Sequence, residues 1–303
     1  MQVTLDVFSG RSNPTWTLPD EQARQLVERF AGRALPSAQA VESILGFRGF
    51  VIDSEGDDEA VRAGLPESFR IGGALSQAYT TPEGLALPTI TQEDDDDAAQ
   101  WLLNTIQGQA SAEAVSDDVL SYVLGEIKAR TQAQTAIEEE EQPSMADAPE
   151  LEQSVQAACV LQNTPYNPAF WNNPQVQPRN NCYNYAMSYR SDTFAQPGRI
   201  SGHPNAAMQC ASVSSAASFD GCKPTCSGGN KLVALVVWPG VDYHWYGFHS
   251  NGFWGHKPGQ TAARNTDNSG RVIRAPLNPQ NCNRGPYTNF CGYRYSPTGM
   301  RVR

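Results

Sequence analysis

The 303-residue chain contains no run of 18 apolar residues, which excludes a membrane-spanning helix. Histidine is scarce, with four in all, and the seven cysteines and four histidines all lie beyond residue 150. The first half therefore lacks the side chains most used for covalent catalysis and for transition-metal binding. Charged residues make up only 18% of the chain, and six Trp are present, so wholesale disorder is excluded. The opening MQVTLDVFSG has no basic stretch followed by an apolar one, so no standard signal peptide is visible. Basic residues are also rare early on. Residues 1–150 hold 27 Asp/Glu against 9 Lys/Arg, a net of −18, whereas residues 151–303 hold 5 against 13, a net of +8.

This change of charge and chemistry places a boundary near residue 150 and predicts three regions. Residues 1–92 read as a small acidic α+β domain. Val3, Leu5 and Val7 alternate as in a half-buried strand, and Ala23, Leu26, Val27 and Phe30 recur at helical spacing behind Pro19 and Asp20. Further strands are expected over 46–52 and, more weakly, 69–71. Residues 93–150 read as a helical segment and an acidic linker. Glu93 to Asp97 precede Trp101, Leu102, Leu103 and Ile106, so these acids suit the first turn of a helix better than a metal cluster. A second helix is predicted over 112–141. The stretch 138–150, with four successive Glu and then Pro143, reads as a solvated, protease-sensitive linker. An acidic half tethered to a basic one suggests mutual attraction, and the acidic region is a candidate intramolecular inhibitor, as in a zymogen.

Residues 151–303 read as a basic, Cys-rich domain. The stretch 163–181 is rich in Asn, Pro and Gln and suggests an extended strap. A helix is predicted to begin at Asn181 or Cys182. Lys231 to Trp238 (KLVALVVW) has the continuous apolar character of a central strand buried on both faces. Strands are expected next over 243–248, 252–256 and 271–274. One helix ahead of consecutive strands points to an α+β fold. The seven cysteines allow three disulfides and one free thiol in an oxidising compartment; reduced thiols or a metal site are the alternatives. Cys282 and Cys291 flank a Gly-Pro-Tyr loop, an arrangement that suits a local disulfide, and Cys182 is the candidate odd cysteine.

Cys182 lies in Asn180-Asn181-Cys182-Tyr183-Asn184-Tyr185-Ala186, at a helix start, where amide donors and the dipole lower a thiol pKa. His244, His249 and His256 fall within thirteen positions. A hairpin over 244–256 would bring His244 and His256 onto adjacent strands, leaving His249 exposed in the turn. A thiol, a base and an orienting group are what covalent cysteine catalysis requires.

The order Asn-Cys-Tyr-Asn-Tyr-Ala at a helix start, a strand opening with His and a second strand ending in His resembles papain-like cysteine hydrolases of the NlpC and CHAP types. The resemblance covers about residues 160–300. It implies a papain-like fold, with a helix packed on an antiparallel sheet, Cys182 as nucleophile, His244 as base and His256 as orienter. Asn181 stands where that family usually has Asp, and Asp242 precedes His244 by two. On this reading Asn181 or Asn180 would supply the oxyanion donor, and Asn265 and Asp267 are the other candidate orienters. The implied function is a cysteine peptidase or amidase acting on a peptide, isopeptide or peptidoglycan stem. The alternatives are a catalytically inactive secreted binding or structural protein of the same fold, and a toxin-like deamidase or transglutaminase. No cofactor, metal or specific nucleic-acid motif is expected. Disulfides imply a secreted or extracellular protein, exported without a visible signal.

Overall fold

A computed structural model describes residues 1–38, 41–73, 90–106, 115–135, 161–226 and 230–303. The linker predicted over 138–150 lies outside them. The described residues form a mixed α/β protein with two four-stranded antiparallel sheets. The chain divides into two compact units. The first comprises Met1–Val7, Asn13–Glu42 and Phe47–Gln142, and the second Phe8–Ser12, Ser43–Gly46 and Pro143–Arg303.

In the first unit, β1 (Gln2–Leu5), β2 (Thr15–Thr17), β3 (Phe50–Asp53) and β4 (Ser68–Ile71) pair in the order β2-β1-β3-β4. Alternation buries Val3 and Leu5 of β1, Phe50 and Ile52 of β3, and Phe69 and Ile71 of β4. Helix α1 (Asp20–Phe30) buries Ala23, Leu26, Val27 and Phe30, the residues its spacing singled out; Phe30 meets Phe69 edge to face. After α2 (Asp58–Arg62), helix α3 (Gln92–Thr105) starts at a capping box. The Thr91 hydroxyl accepts from Asp94 N, and the Asp94 carboxylate accepts from Thr91 N. The acidic run thus opens a helix. α4 (Asp117–Thr135) follows and packs on α3.

Three carboxylates are buried among the described residues of this unit, Asp6, Asp95 and Asp96. Asp6 receives Arg48 Nη2 at 2.6 Å and Arg70 Nη1 at 3.0 Å. Burial acts to raise its pKa, but the two guanidiniums outweigh that and hold it at about 2. Asp95 accepts the Gly72 N–H on both oxygens, at 3.0 and 2.9 Å. Gly72 is required there: its φ is +71°, and a Cβ would stand 2.7 Å from the Ala99 Cβ on α3.

In the second unit, short helices α5 (Pro168–Trp171) and α6 (Cys182–Ala186) precede α7 (Cys210–Phe219). Strands β5 (Asn230–Trp238), β6 (Asp242–Phe248), β7 (Trp254–His256) and β8 (Asn289–Pro297) pair in the order β7-β6-β5-β8. The apolar run is central, as its composition predicts. Val233, Leu235 and Val237 of β5, with Tyr243 and Trp245 of β6, join Cys182, Tyr183 and Ala186 of α6 and Val213 and Ala217 of α7 in one core. The alternate residues of β6, His244 and Tyr246, share the other face. Tyr246 lies directly opposite His256 on β7.

Local expectations fail at several places, and β2, α2 and α7 had no counterpart in the sequence reading. The strap over 163–181 contains α5, whose first turn is capped by the Asn167 side chain accepting from Phe170 N, and a 3₁₀ turn at Gln177–Arg179. Residues 271–274 form no strand; Val272 makes a single bridge to Thr266. Strand β8, missed in the sequence, completes the sheet beside β5. Among the described residues, no helix is long and apolar enough to cross a membrane.

Candidate functional site

The site is built on the start of α6. The Asn181 side chain caps the helix, its oxygen accepting from Tyr183 N and Asn184 N at 3.1 and 3.2 Å. Its amide nitrogen donates to Gly10 O and Ala195 O, both at 2.8 Å. Both amide protons therefore already have acceptors, and Asn181 is a structural cap with no side-chain donor left for an oxyanion. Asn180 is similarly engaged, donating to Val176 O and Asp192 and accepting from Ser191 N and Asp192 N.

Cys182, the first residue of the helix, is wholly buried. Its Sγ lies 4.0 Å from Tyr243 O. Burial, with the Asp242 carboxylate nearby, pushes the thiol up to about 12. The helix start does not produce a thiolate, because desolvation outweighs it.

The Ser9 hydroxyl also stands 2.5 Å from His244 Nδ1; His244 Nε2 is 2.9 Å from His256 Nδ1, and His256 Nε2 is 2.9 Å from Thr266 O. A carbonyl only accepts, so His256 carries its proton on Nε2 and offers Nδ1 as a lone pair. His244 Nε2–H then donates to His256, and the Ser9 O–H donates to His244 Nδ1. Burial depresses the His256 pKa to about 3, which keeps that ring neutral. Tyr246 stacks on His256, with ring centroids 4.8 Å apart.

The segment Phe8–Ser12 reaches this position through Asp242. That buried carboxylate accepts from Ser9 N, Gly10 N and Arg11 N at 2.6, 3.1 and 3.2 Å, and from the Tyr287 hydroxyl at 2.6 Å. Burial raises its pKa, and these donors oppose the rise. Gly10 O in turn accepts from Gln196 Nε2 at 2.7 Å and the Tyr243 hydroxyl at 3.0 Å. The Lys257 ammonium, also buried, is held by Gln177 O, Asn180 O and Gly259 O, each at 2.6 Å, and its charge favours the Cys182 thiolate.

The structure thus joins His244 to His256, with the Ser9 hydroxyl on His244 Nδ1, while the Cys182 sulfur faces Tyr243 O. Asp267 does not orient a histidine: its carboxylate accepts from Ser269 N, Arg271 N, Asn283 N and Arg271 Nη2, stapling the turn after β7. Asn265 contributes its carbonyl to Ile273 N, a backbone contact in the same region. His249 is buried, contrary to its expected exposure. It is held between the Tyr185 hydroxyl at 2.7 Å and Thr164 O at 3.0 Å, and burial lowers its pKa to about 4. Ser9, Asp242, Tyr287 and Lys257 complete the cluster. Sequence reading passed over Ser9 because 235 positions separate it from His244.

The cysteine pattern also differs from expectation. Cys210 pairs with Cys291, and Cys226 is disulfide-bonded, while Cys182, Cys222 and Cys282 are free and buried. Three free thiols leave four cysteines, enough for two bridges but not three. α7 packs on β8, which sets Cys210 beside Cys291 and removes the expected local pair Cys282–Cys291. Among the described residues, no three His, Cys, Asp or Glu side chains converge as metal ligands.

Fold and site together define a disulfide-containing mixed α/β protein with a satisfied buried polar cluster. No protein-family model and no solved structure matches the chain. Insoluble matrix shell protein 1 of Ruditapes philippinarum is 47% identical over 141 residues, covering 46% of this chain and 93% of the shell protein. The chain belongs to the family of that shell matrix protein. This relationship overturns the resemblance to papain-like cysteine hydrolases, and the hydrolase and peptidase assignment drawn from it. Order and spacing of one Cys and two His are short patterns, and 47% identity across nearly a whole protein outweighs them.

Proposed function

We propose that this chain is a non-catalytic structural or binding protein of an extracellular matrix. One observation carries the reading: the 47% identity that spans 93% of a protein named for an insoluble shell matrix. The cysteine chemistry supports it. Disulfides at Cys210–Cys291 and at Cys226 suit an oxidising, extracellular setting. Cys182 rests as a buried, protonated thiol, which is not a nucleophile.

The test is localisation and extraction. An antibody against the full chain should find it outside the cells that make it, in material that salt and detergent leave insoluble. Recovery from a soluble intracellular fraction would overturn the reading. So would steady, thiol-dependent turnover of peptide or amide substrates by the purified chain.

A further inference from the structure

We infer that copies of this chain join head to tail, the cation-rimmed apolar face around Ile200 and Phe219 of one copy docking on the acid-rimmed Val61 of a second copy. The inference goes beyond the matrix role and stands without it. Among the described residues five large apolar side chains are exposed, and two of them, Ile200 at 44% and Phe219 at 57%, belong to one surface feature. The Asp220 carboxylate, just past the end of α7, accepts from Gly198 N and Ser201 Oγ, both at 2.7 Å, and so ties the turn over 198–203 to Phe219. The His203 ring lies flat on the Phe219 ring, with centroids 4.0 Å apart and planes 9° apart. Gly198 is required in the turn: its φ is +79°, and a Cβ there would stand 1.8 Å from His203 O. A fixed turn therefore holds apolar surface in water, which a partner would cover with a gain in free energy.

Cations rim this face. Arg199 precedes Ile200. Lys223 Nζ donates to Ser218 O at 2.8 Å, next to Phe219. Arg301 follows Met300, whose Sδ lies 4.0 Å from where a Cβ on Gly221 would stand. All three are exposed, and none forms an ion pair among the described residues. The acid of this face, Asp220, is occupied from within, since it also accepts from the Tyr183 hydroxyl at 2.9 Å. An apolar centre with an Arg-bearing polar rim is the anatomy of a protein interface.

The chain itself carries the complement. Residues 1–150 hold a net charge of −18. Their exposed large apolar side chain among the described residues is Val61, 64% exposed on α2. Asp58 shares its helical face three positions earlier, and Glu55 and Glu59 flank it. These three carboxylates are exposed and form no ion pair among the described residues, and Arg62 is the cation beside them. Apolar meets apolar and acid meets base, which fixes the orientation of the second copy. Each whole copy has a net charge of −10, but at about 0.1 M salt a Debye length of about 10 Å screens that repulsion beyond the facing patches. Because the two faces differ, a copy that lacks one can still pair through the other.

The experiment is static light scattering on the full chain at about pH 7.5 and 0.1 M NaCl, over about 10 µM to 1 mM, the range suited to a small interface. The wild-type mass should rise with concentration above the 33.0 kDa of one copy. At about 0.5 M NaCl, where screening shortens the charge reach to about 4 Å, the association constant should fall by at least about threefold. Ile200→Ser combined with Phe219→Ser should stay a single copy, and so should Val61→Ser combined with Asp58→Asn. An equimolar mixture of these two double variants should restore complexes of two copies, which also shows that each variant keeps its other face folded. The inference is overturned if the wild type stays a single copy throughout, if either double variant associates as the wild type does, if the mixture stays single, or if salt leaves the association unchanged.

Discussion

Asp95 offers the sharpest test of how burial controls this protein. It is fully buried at the first turn of α3 and accepts the Gly72 N–H. Burial, opposed by the Gly72 N–H and reinforced by the Asp96 charge, raises its pKa from 3.8 to about 7. A carboxyl whose folded pKa is raised stabilises the fold fully below its unfolded value. That contribution is lost as pH rises from 3.8 toward 7, because the unfolded chain ionises first. The gap is about three pKa units, or at most ~4 kcal/mol at about 1.4 kcal/mol per unit. Asp95→Asn keeps an oxygen for Gly72 N–H and removes the ionisation. Its new NH₂ needs a partner, which costs about 1–3 kcal/mol. The variant should therefore be about 1–2 kcal/mol less stable than wild type at pH 4 and about 1–3 kcal/mol more stable at pH 8. Hydrogen exchange at the backbone amides of β4 and α3, measured from pH 4 to 8 and corrected for intrinsic rates, reads this locally. A wild-type protection free energy that does not fall over this window, or an Asp95→Asn variant with the same slope, would refute the reasoning.

Asp6→Ala should cost about 3–5 kcal/mol in urea unfolding, because Arg48 and Arg70 would be left as buried charges without their carboxylate; a loss below about 1 kcal/mol would contradict this. The Cys210–Cys291 bridge closes a separation of 81 residues, so Cys210→Ser combined with Cys291→Ser should lower stability by about 2–5 kcal/mol in thermal or urea unfolding. His249 and His256 should remain neutral well below pH 6.5 in an NMR titration, because burial holds their pKa values at about 4 and about 3. Their contribution to stability is present above pH 6.5 and is lost as pH falls from there through pH 4 and 3; a ring titrating near 6.5 in the folded protein would contradict the burial argument.

Elements whose signal is local were legible in the chain. Val3 and Leu5 mark β1, the apolar stripe of α1 buries as spaced, and the acids after Thr91 open α3 through a capping box. KLVALVVW is a central strand, and the side chains of its neighbour β6 alternate between the core and the histidine face. These features depend on residues a few positions apart, and periodicity and capping are properties of neighbours. The cap at Asn181 was equally local, but its use was not. Only the fold brings Gly10 O and Ala195 O to its amide.

What the tertiary structure alone decided is which groups meet and which are dry. Ser9 reaches His244 because Asp242, an acceptor with several lone pairs, gathers three consecutive N–H groups from a segment 231 to 233 positions away. Cys291 pairs with Cys210 because α7 lies on β8, while the nearby Cys282 turns inward toward the Tyr246 hydroxyl. A helix start and a neighbouring histidine make Cys182 look like a reactive thiol in the sequence. Complete burial reverses that, because removing water raises a thiol pKa more than a short helix and one distant ammonium can lower it. Solvent exposure is a property of the whole packed chain, so chemistry that depends on it cannot be read from spacing alone.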